Sequence, residues 1–215
     1  MTKRRLISIA GIVGVGKTTL AENLASELTA ELIREEYDKN PFLMDQVRGK
    51  SEAALPSELF FLFSRLRQLR RDRIDTFPVV VCDYVFQKNR LFAQMNLAAH
   101  EYATYRCLEH SVEPYIAIPQ VVVYLIGDIE MCLARIAHRG RPVEESFSAK
   151  FLQQLHEGYE NLFRDWRQCP VVRINATRYD YRRPQDVLHV LSQIDDRDDP
   201  DVMGNGVNAF RVTRQ

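Results

Sequence analysis

The sequence lacks the patterns that mark several specialised classes of protein. Its four cysteines include no C-x-x-C pair, so neither a zinc knuckle nor a disulfide framework is expected. Neither charge is in excess, since 29 lysines and arginines balance 29 aspartates and glutamates, whereas a general nucleic-acid-binding protein usually has a basic excess. No apolar run approaches the roughly 20 residues that cross a bilayer. We therefore expect a cytoplasmic protein that binds neither nucleic acid nor membrane.

The composition suits one globular domain followed by a short tail. The chain has 215 residues, of which 46% are hydrophobic, enough to form a substantial core. We predict that this domain covers residues 1–195. Residues 196–215 contain clustered acids, two glycines and almost no apolar periodicity, so a mobile tail is predicted there.

Short apolar runs alternate with longer helical patterns along the domain. Runs rich in β-branched residues predict strands buried on both faces at residues 6–10, 79–82, 121–126 and 171–174, with a weaker strand at 31–34. Helices are predicted at residues 17–28, 55–69, 91–112 and 128–137, the last with Asp128 as its cap and a stop at Gly140. Two more are predicted after Ser148 as an N-cap and from Pro184 onward. This alternation predicts an α/β fold in which a five-stranded parallel sheet is flanked by helices.

One complete motif points to nucleotide binding. Residues 11–18 read GIVGVGKT and match the phosphate-loop pattern G-x-x-x-x-G-K-[ST] in full. Glycines allow the backbone N–H groups to approach phosphate oxygens, the lysine reaches the β- and γ-phosphates, and the threonine hydroxyl can ligate Mg²⁺. The helix that follows points its positive end at the phosphates. We predict an ATP site formed by Gly11, Gly14, Val15, Gly16, Lys17, Thr18 and Thr19.

The phosphate loop alone does not name the reaction, but four further segments narrow it. They read EEYDKNPFL at 35–43, LFFLFSR at 59–65, CDYVF with RLFA at 82–93, and RIAHRGRPVEE at 135–145. With the phosphate loop, these resemble the deoxynucleoside kinase family, particularly its bacterial branch, over roughly residues 5–194. The resemblance implies a P-loop kinase fold with an arginine-rich lid, ATP and Mg²⁺ as cofactors, a nucleoside acceptor and a homodimer.

The resemblance also implies roles for two acidic positions. Glu35 matches the family's general base, which accepts the proton of the acceptor's 5′-hydroxyl, and Glu36 takes that role if the alignment slips by one residue. Asp83 matches the acid that ends the third strand, where a carboxylate can hold Mg²⁺ together with Thr18.

The lid of the family is matched by a dense basic segment. Arg135, Arg139 and Arg141 fit its pattern R-x-x-x-R-x-R, and guanidinium groups suit phosphate because they are planar and always charged. Glu144 or Glu145 resembles the lid glutamate that receives the sugar 3′-hydroxyl.

The sequence departs from the family pattern at the acceptor end. Tyr84 replaces the arginine that normally helps to hold the 5′-oxygen and the transferring phosphoryl group, so Arg65 or Arg106 must substitute for it or turnover is lower. Residues 44–47 read MDQV where the family usually has a tyrosine. Glu58 stands where the base-binding helix usually carries a glutamine, and Phe61 is a candidate to stack on the base.

These patterns predict ATP-dependent phosphorylation of the 5′-hydroxyl of a deoxynucleoside in nucleotide salvage. A purine is the expected base, with deoxyguanosine foremost, because an ionised Glu58 offers hydrogen-bond acceptors only. Two alternatives remain open. One is a kinase of a nucleoside monophosphate or another small molecule on the same scaffold, and the other is a nucleotide-binding regulator with degraded catalysis, suggested by Tyr84 and Val47.

Overall fold

The computed structural model describes residues 5–198 and contains one five-stranded parallel sheet. Its strands are β1 (Arg5–Ala10), β2 (Glu31–Ile33), β3 (Val79–Cys82), β4 (Val121–Ile126) and β5 (Val171–Asn175), in the spatial order β2-β3-β1-β4-β5. All four strand pairs are parallel. The predicted fold class and all five strands are therefore confirmed, each bound agreeing within one residue.

The helices of the described part are α1 (Lys17–Glu27), α2 (Leu43–Val47), α3 (Ser51–Leu69), α4 (Arg71–Ile74), α5 (Lys88–Asn96), α6 (Ala99–Val112), α7 (Ile129–Arg139), α8 (Ala149–Arg164) and α9 (Pro184–Asp198). Two predicted caps are confirmed, since the Asp128 carboxylate accepts from the Met131 N–H at 2.9 Å and Ser148 accepts from the Phe151 N–H at 3.2 Å. Gly140 ends α7 with φ 63°, a conformation that favours glycine.

The predicted helix over residues 91–112 is wrong. The chain forms α5 and α6 instead, separated by Leu97 and Ala98, whose backbones are extended with ψ 145° and 156°. The Ala98 N–H donates to the Glu101 carboxylate at 3.1 Å and so starts a new helix. Because apolar periodicity continues across Leu97 and Ala98, the sequence pattern predicts one helix where the chain forms two.

Two hydrophobic clusters pack on the sheet. The larger one joins β1, β4 and β5 with α1, α7, α8 and α9, and the smaller one joins the other side of β1 with α3 and α6. Leu6 and Ile7 are neighbours on β1 but enter different clusters, because successive strand residues point to opposite faces. The sheet is thus covered on both sides, and its strand ends are left to carry polar groups.

The predicted boundary between domain and tail lies near the end of the described residues. Helix α9 runs to Asp198, so the backbone of the first three residues of the predicted tail is helical. Ile194 is fully buried in the larger cluster. The rest of the predicted tail, residues 199–215, lies outside the described residues, as do residues 1–4. Within residues 5–198, none of the helices is both long and apolar enough to span a membrane.

Candidate active site

A cavity of about 1310 Å³ opens where the strands of the sheet end. The phosphate loop follows β1, Glu35 follows β2 and Asp83 follows β3, so three chain segments deliver polar groups to one sheet edge. Helices α2, α3, α5 and α7, the lid after α7 and the loop after β5 also line the cavity. Most of the predicted site residues therefore face a shared space.

The phosphate loop has the backbone geometry that its glycines predict. Gly11, Gly14 and Gly16 have φ of 141°, 83° and 110°, values that other residues rarely adopt. A Cβ at Gly14 would lie 2.5 Å from the carbonyl oxygen of Cys132, so a side chain there has no room. Gly16 is the N-cap residue of α1, which places the positive end of this helix at the loop.

Lys17 lies across the phosphate loop. Its Nζ donates to the carbonyl oxygens of Gly11 at 2.9 Å and Ile12 at 2.8 Å. Burial and, second, the positive charge of Lys88 lower the pKa of Lys17 to about 8. Among the other predicted loop residues, Thr19 lines the cavity, whereas the Val15 side chain is buried in the core and only its backbone is available.

Thr18 and Asp83, the two residues predicted to hold Mg²⁺, lie side by side. The Thr18 hydroxyl donates to Oδ2 of Asp83 at 2.8 Å, and Oδ1 of Asp83 accepts from the Glu35 N–H at 3.0 Å. Among the residues described, no group of three or more histidine, cysteine, aspartate or glutamate side chains is placed to hold a metal ion. One carboxylate and one hydroxyl suit Mg²⁺, which is usually held by few protein oxygens and otherwise by phosphate and water.

Glu35 is held by two cations. Its Oε1 contacts Arg65, and Lys88 donates to Oε1 at 2.9 Å and to Oε2 at 2.7 Å. Burial alone would raise the pKa of Glu35, but Lys88 and Arg65 outweigh it and hold the pKa well below its usual range. The carboxylate is therefore ionised and fixed in orientation.

Glu36, the alternative to Glu35, is bound at the rim of the cavity. It accepts from Ser64 at 2.6 Å and from Lys39 at 2.7 Å, and it also contacts Arg67. Burial raises its pKa, but the hydrogen bonds from these three side chains together outweigh burial and lower the pKa to about 2. Lys39 and Arg67 are largely exposed, so the surroundings of Glu36 are closer to solvent than those of Glu35.

Arg65 and Arg106, the two predicted substitutes for the missing arginine, have different positions. Arg65 is 2% exposed, and its guanidinium lies 4.8 Å from the ring centroid of Phe61 and 5.6 Å from that of Tyr84. Arg106 does not line the cavity and pairs instead with Glu109 on its own helix α6. The prediction for Arg106 is wrong, because Glu109 lies one helical turn away and engages it.

The lid residues meet at Glu144. Arg139 donates to Oε2 of Glu144 at 3.0 Å through Nε, and Arg141 donates to Oε1 at 3.4 Å. Arg135 donates to the Val15 carbonyl oxygen at 3.1 Å, which connects the lid helix α7 to the phosphate loop. Glu145 is exposed and does not line the cavity, so only Glu144 lies at the predicted place.

Glu58 lines the cavity inside a polar cluster. It is 1% exposed, and its Oε1 accepts from Asn96 at 2.7 Å and from Gln46 at 2.9 Å. Its Oε2 is buried and has no hydrogen-bond partner among the described residues. Burial raises the pKa of Glu58 above its usual value, although both amide bonds act in the opposite direction. Phe61 lines the cavity nearby, as predicted for a stacking ring.

The sequence interpretation missed several polar groups of this site. Gln46 lies in residues 44–47, where the sequence indicates only that the family's tyrosine is missing. Asn96 lies inside the single helix predicted over residues 91–112 and has no motif of its own. Lys88 was not singled out, although it follows the aspartate of the CDYVF segment by five positions. The loop after β5 also reaches the cavity, where Tyr181 packs against Gly16.

Comparisons with known proteins agree with this arrangement. The family model described as "Deoxynucleoside kinase" matches residues 7–196. The chain is 30% identical over 200 residues to the deoxyadenosine/deoxycytidine kinase of Bacillus subtilis (strain 168), covering 89% of this chain and 92% of that protein. It is 33% identical over 164 residues to the deoxyguanosine kinase of the same organism, covering 74% of this chain and 79% of that protein.

The fold also matches a solved structure. It is similar, with a TM-score of 0.78 and 19% identity, to the deoxyadenosine kinase from M. mycoides, whose structure holds dCMP and a flexible dCDP. The match covers 89% of this chain and 99% of that one. Because the family model spans most of the chain and its motifs lie together in one cavity, this protein belongs to the deoxynucleoside kinase family.

Proposed function

We propose that the protein transfers the γ-phosphoryl group of ATP to the 5′-hydroxyl of a deoxynucleoside, with Mg²⁺ as its metal ion. The observation that carries this proposal is the position of Asp83. One of its oxygens bonds Thr18 of the phosphate loop and the other bonds the backbone of Glu35. Asp83 thus connects the phosphate side of the cavity to the carboxylate side, as a reaction between a nucleotide and a hydroxyl requires.

The phosphate side would stabilise the negative charge of the transferring group. Lys17 and the positive end of α1 act from the loop, while Arg135, Arg139 and Arg141 approach from the lid. Thr18 and Asp83 would hold Mg²⁺, which supplies positive charge at the phosphate oxygens. Lid closure would exclude water from the reacting groups.

The carboxylate side would orient the acceptor. Glu35, ionised and fixed by two cations, accepts a hydrogen bond from the 5′-hydroxyl and aligns its oxygen for in-line attack. The new O–P bond forms as the bond from phosphorus to the bridging oxygen of ADP breaks, and the hydroxyl proton passes late to Glu35. Glu144 would receive the sugar 3′-hydroxyl.

The base end favours a base that donates hydrogen bonds. Gln46 and Asn96 direct amide N–H groups at Glu58, so their carbonyl oxygens and Oε2 of Glu58 remain as acceptors. Guanine offers two adjacent donors, whereas thymine offers one N–H between two carbonyls. We propose purine acceptors with deoxyguanosine foremost, in keeping with relatives named as deoxyguanosine and deoxyadenosine/deoxycytidine kinases.

We further propose that the protein works as a homodimer in cytoplasmic nucleotide salvage. Phe63 of α3 and Leu108 of α6 are large apolar side chains with 49% and 38% exposure, and a second copy of the chain could cover them. All four cysteines are free thiols, as expected in a reducing compartment. Sedimentation analysis of the wild type and of Phe63→Glu would test the dimer, which the charged variant should weaken.

The experiment that tests the activity is an acceptor panel. Consumption of ATP is measured with each deoxynucleoside, each ribonucleoside and each nucleoside monophosphate in turn, and the product is identified by mass. A deoxynucleoside 5′-monophosphate as the main product supports the proposal. Preferred use of a monophosphate would indicate the alternative kinase, and ATP binding without any acceptor-dependent turnover would indicate a regulator.

A further inference from the structure

Tyr84 brings no positive charge to Glu35. Its side chain is buried, its hydroxyl donates to Oε1 of Gln68 at 2.6 Å, and its ring faces the Arg65 guanidinium. Tyr84 is therefore a core residue whose ring lies beside the Arg65 guanidinium. Any second cation at the Glu35 carboxylate must come from another part of the chain.

Lys88 is a buried lysine at the start of α5. It is 6% exposed and lines the cavity, and its backbone N–H donates to the Val85 carbonyl oxygen at 3.0 Å. Its ammonium lies 4.9 Å from the ring centroid of Phe92. Lysine is almost never fully buried without a partner, and Glu35 is the carboxylate that Lys88 contacts.

The two cations hold Glu35 differently. Arg65 contacts Oε1, whereas Lys88 donates to both Oε1 and Oε2. Within residues 5–198, Oε2 accepts a hydrogen bond from Lys88 and from no other side chain. Without Lys88, the carboxylate would be held at one oxygen and could rotate.

We propose that Lys88 is a positioning residue for Glu35, whose carboxylate it holds by both oxygens in the orientation needed for the 5′-hydroxyl. This inference rests on the proposed function, in which Glu35 is the base. Stability alone is a weak reason for such a contact, because buried ion pairs are often replaceable by apolar residues without loss. Because Lys88 and Glu35 both line the cavity, their contact can serve the reaction by orienting the Glu35 carboxylate.

The first test compares Lys88→Met with Lys88→Arg, using the acceptor that the panel ranks first. Misplacing a catalytic group by about 1 Å can cost on the order of 10²-fold in rate, so Lys88→Met should lower kcat by that order while the KM for ATP stays within about twofold. Lys88→Arg should recover at least about tenfold, since it retains charge and paired donors. A kcat near that of the wild type in Lys88→Met, or no recovery in Lys88→Arg, would overturn the proposal.

Lys50→Met is the matched control. Lys50 pairs with Asp45 at 2.9 Å, but both side chains are about half exposed and lie outside the cavity wall. The same loss of a paired lysine should leave kcat unchanged there, because exposed pairs contribute little. An equal loss in both variants would contradict a specific role for Lys88.

The second test asks whether Lys88 acts through Glu35. In a Glu35→Gln background, Lys88→Met should lower kcat by less than about threefold, because the group that it positions is already absent. An undiminished loss in that background would show that Lys88 acts independently of Glu35. Should Lys88→Met fail to fold, Lys88→Gln replaces it in the same comparison with the same criteria.

The outcomes separate this proposal from the proposed function. If the wild type phosphorylates no deoxynucleoside, the proposed function is wrong. Thermal unfolding of the wild type, Lys88→Met, Glu35→Gln and the double variant without substrate then tests the contact between Lys88 and Glu35. A double variant that loses less stability than the sum of the two single variants supports the pairing of Lys88 with Glu35. Additive losses of stability would overturn the positioning role. If the wild type turns over normally but Lys88→Met lowers kcat equally with and without Glu35, the positioning role is wrong and the proposed function stands.

Discussion

The base preference of the enzyme should depend on the charge of Glu58. When ionised, this carboxylate offers acceptors only and favours the two adjacent donors of guanine. When protonated, its Oε2 carries a donor in place of an acceptor, which suits the ring nitrogen acceptor of adenine or cytosine. Because Oε1 already accepts two amide bonds, the proton of the neutral form belongs on the open Oε2. The role of Glu58 can therefore be tested in two ways, by substitution and by a change of pH.

The perturbation that isolates this effect is Glu58→Gln, which places an amide donor at the position of Oε2 at every pH. At 1% exposure the site has no solvent to replace a lost hydrogen bond, so an unpaired group costs about 1–3 kcal/mol, roughly five- to 150-fold in kcat/KM. We expect the ratio of kcat/KM for deoxyguanosine over deoxyadenosine to fall by this factor in the variant. Thymidine should be the poorest deoxynucleoside of the wild type.

The pH dependence supplies the internal check. Burial raises the pKa of Glu58, so the carboxyl is protonated below that raised pKa and ionised above it. The preference of the wild type for deoxyguanosine over deoxyadenosine should therefore strengthen as the pH rises, and that of Glu58→Gln should stay constant. Glu52→Gln, an exposed position on the same helix α3, should behave as the wild type.

The assay is the initial rate of ATP consumption with each deoxynucleoside at several pH values. An unchanged substrate ranking in Glu58→Gln would refute the reasoning, because it would mean that Oε2 does not meet the base. A pH-dependent ratio in Glu58→Gln equal to that of the wild type would refute it as well, since another titrating group would then set the preference.

Three further predictions concern the rest of the chain. Lys17→Ala should abolish phosphoryl transfer in a protein with wild-type thermal stability, because the charge over the β- and γ-phosphates is lost, and wild-type turnover would contradict the loop assignment. Glu35→Gln should lower kcat by about 10²-fold or more with little change in ATP affinity, whereas a larger loss in Glu36→Gln would identify Glu36 as the base. A chain ended after Asp198 should keep its kcat and melting temperature, since the family match ends at residue 196, and a loss of either would show that the tail contributes.

The sheet and the phosphate loop could be predicted from the sequence because both have strong local patterns. Apolar β-branched runs such as residues 79–82 have few structural alternatives, and the glycines of residues 11–16 are required by backbone conformation. The helix caps at Asp128 and Ser148 were equally local, since each side chain bonds an N–H three residues later. Local rules sufficed wherever the contact partners were close in sequence.

The polar surroundings of the site could not be predicted in this way. Gln46 and Asn96 reach Glu58 from two other helices, and Lys88 reaches Glu35 across a separation of 53 residues. No periodicity reports such contacts, and the break between α5 and α6 depends on a side chain bonding a backbone group. The sequence alone indicated Glu35 and Glu58. Their charge states depend on partner side chains that are distant in sequence and that the fold brings close to them.

Those partners divide the two central carboxylates into different roles. Glu35 already has two permanent cations, Arg65 and Lys88, at hydrogen-bonding distance. Asp83, by contrast, has no salt bridge with any described residue and bonds only a hydroxyl and a backbone N–H. A buried carboxylate without a cation is unfavourable, so Asp83 is the position at which an arriving cation gains most. This asymmetry supports the proposals that Mg²⁺ binds beside Thr18 and that Glu35, whose charge is already balanced, faces the acceptor hydroxyl.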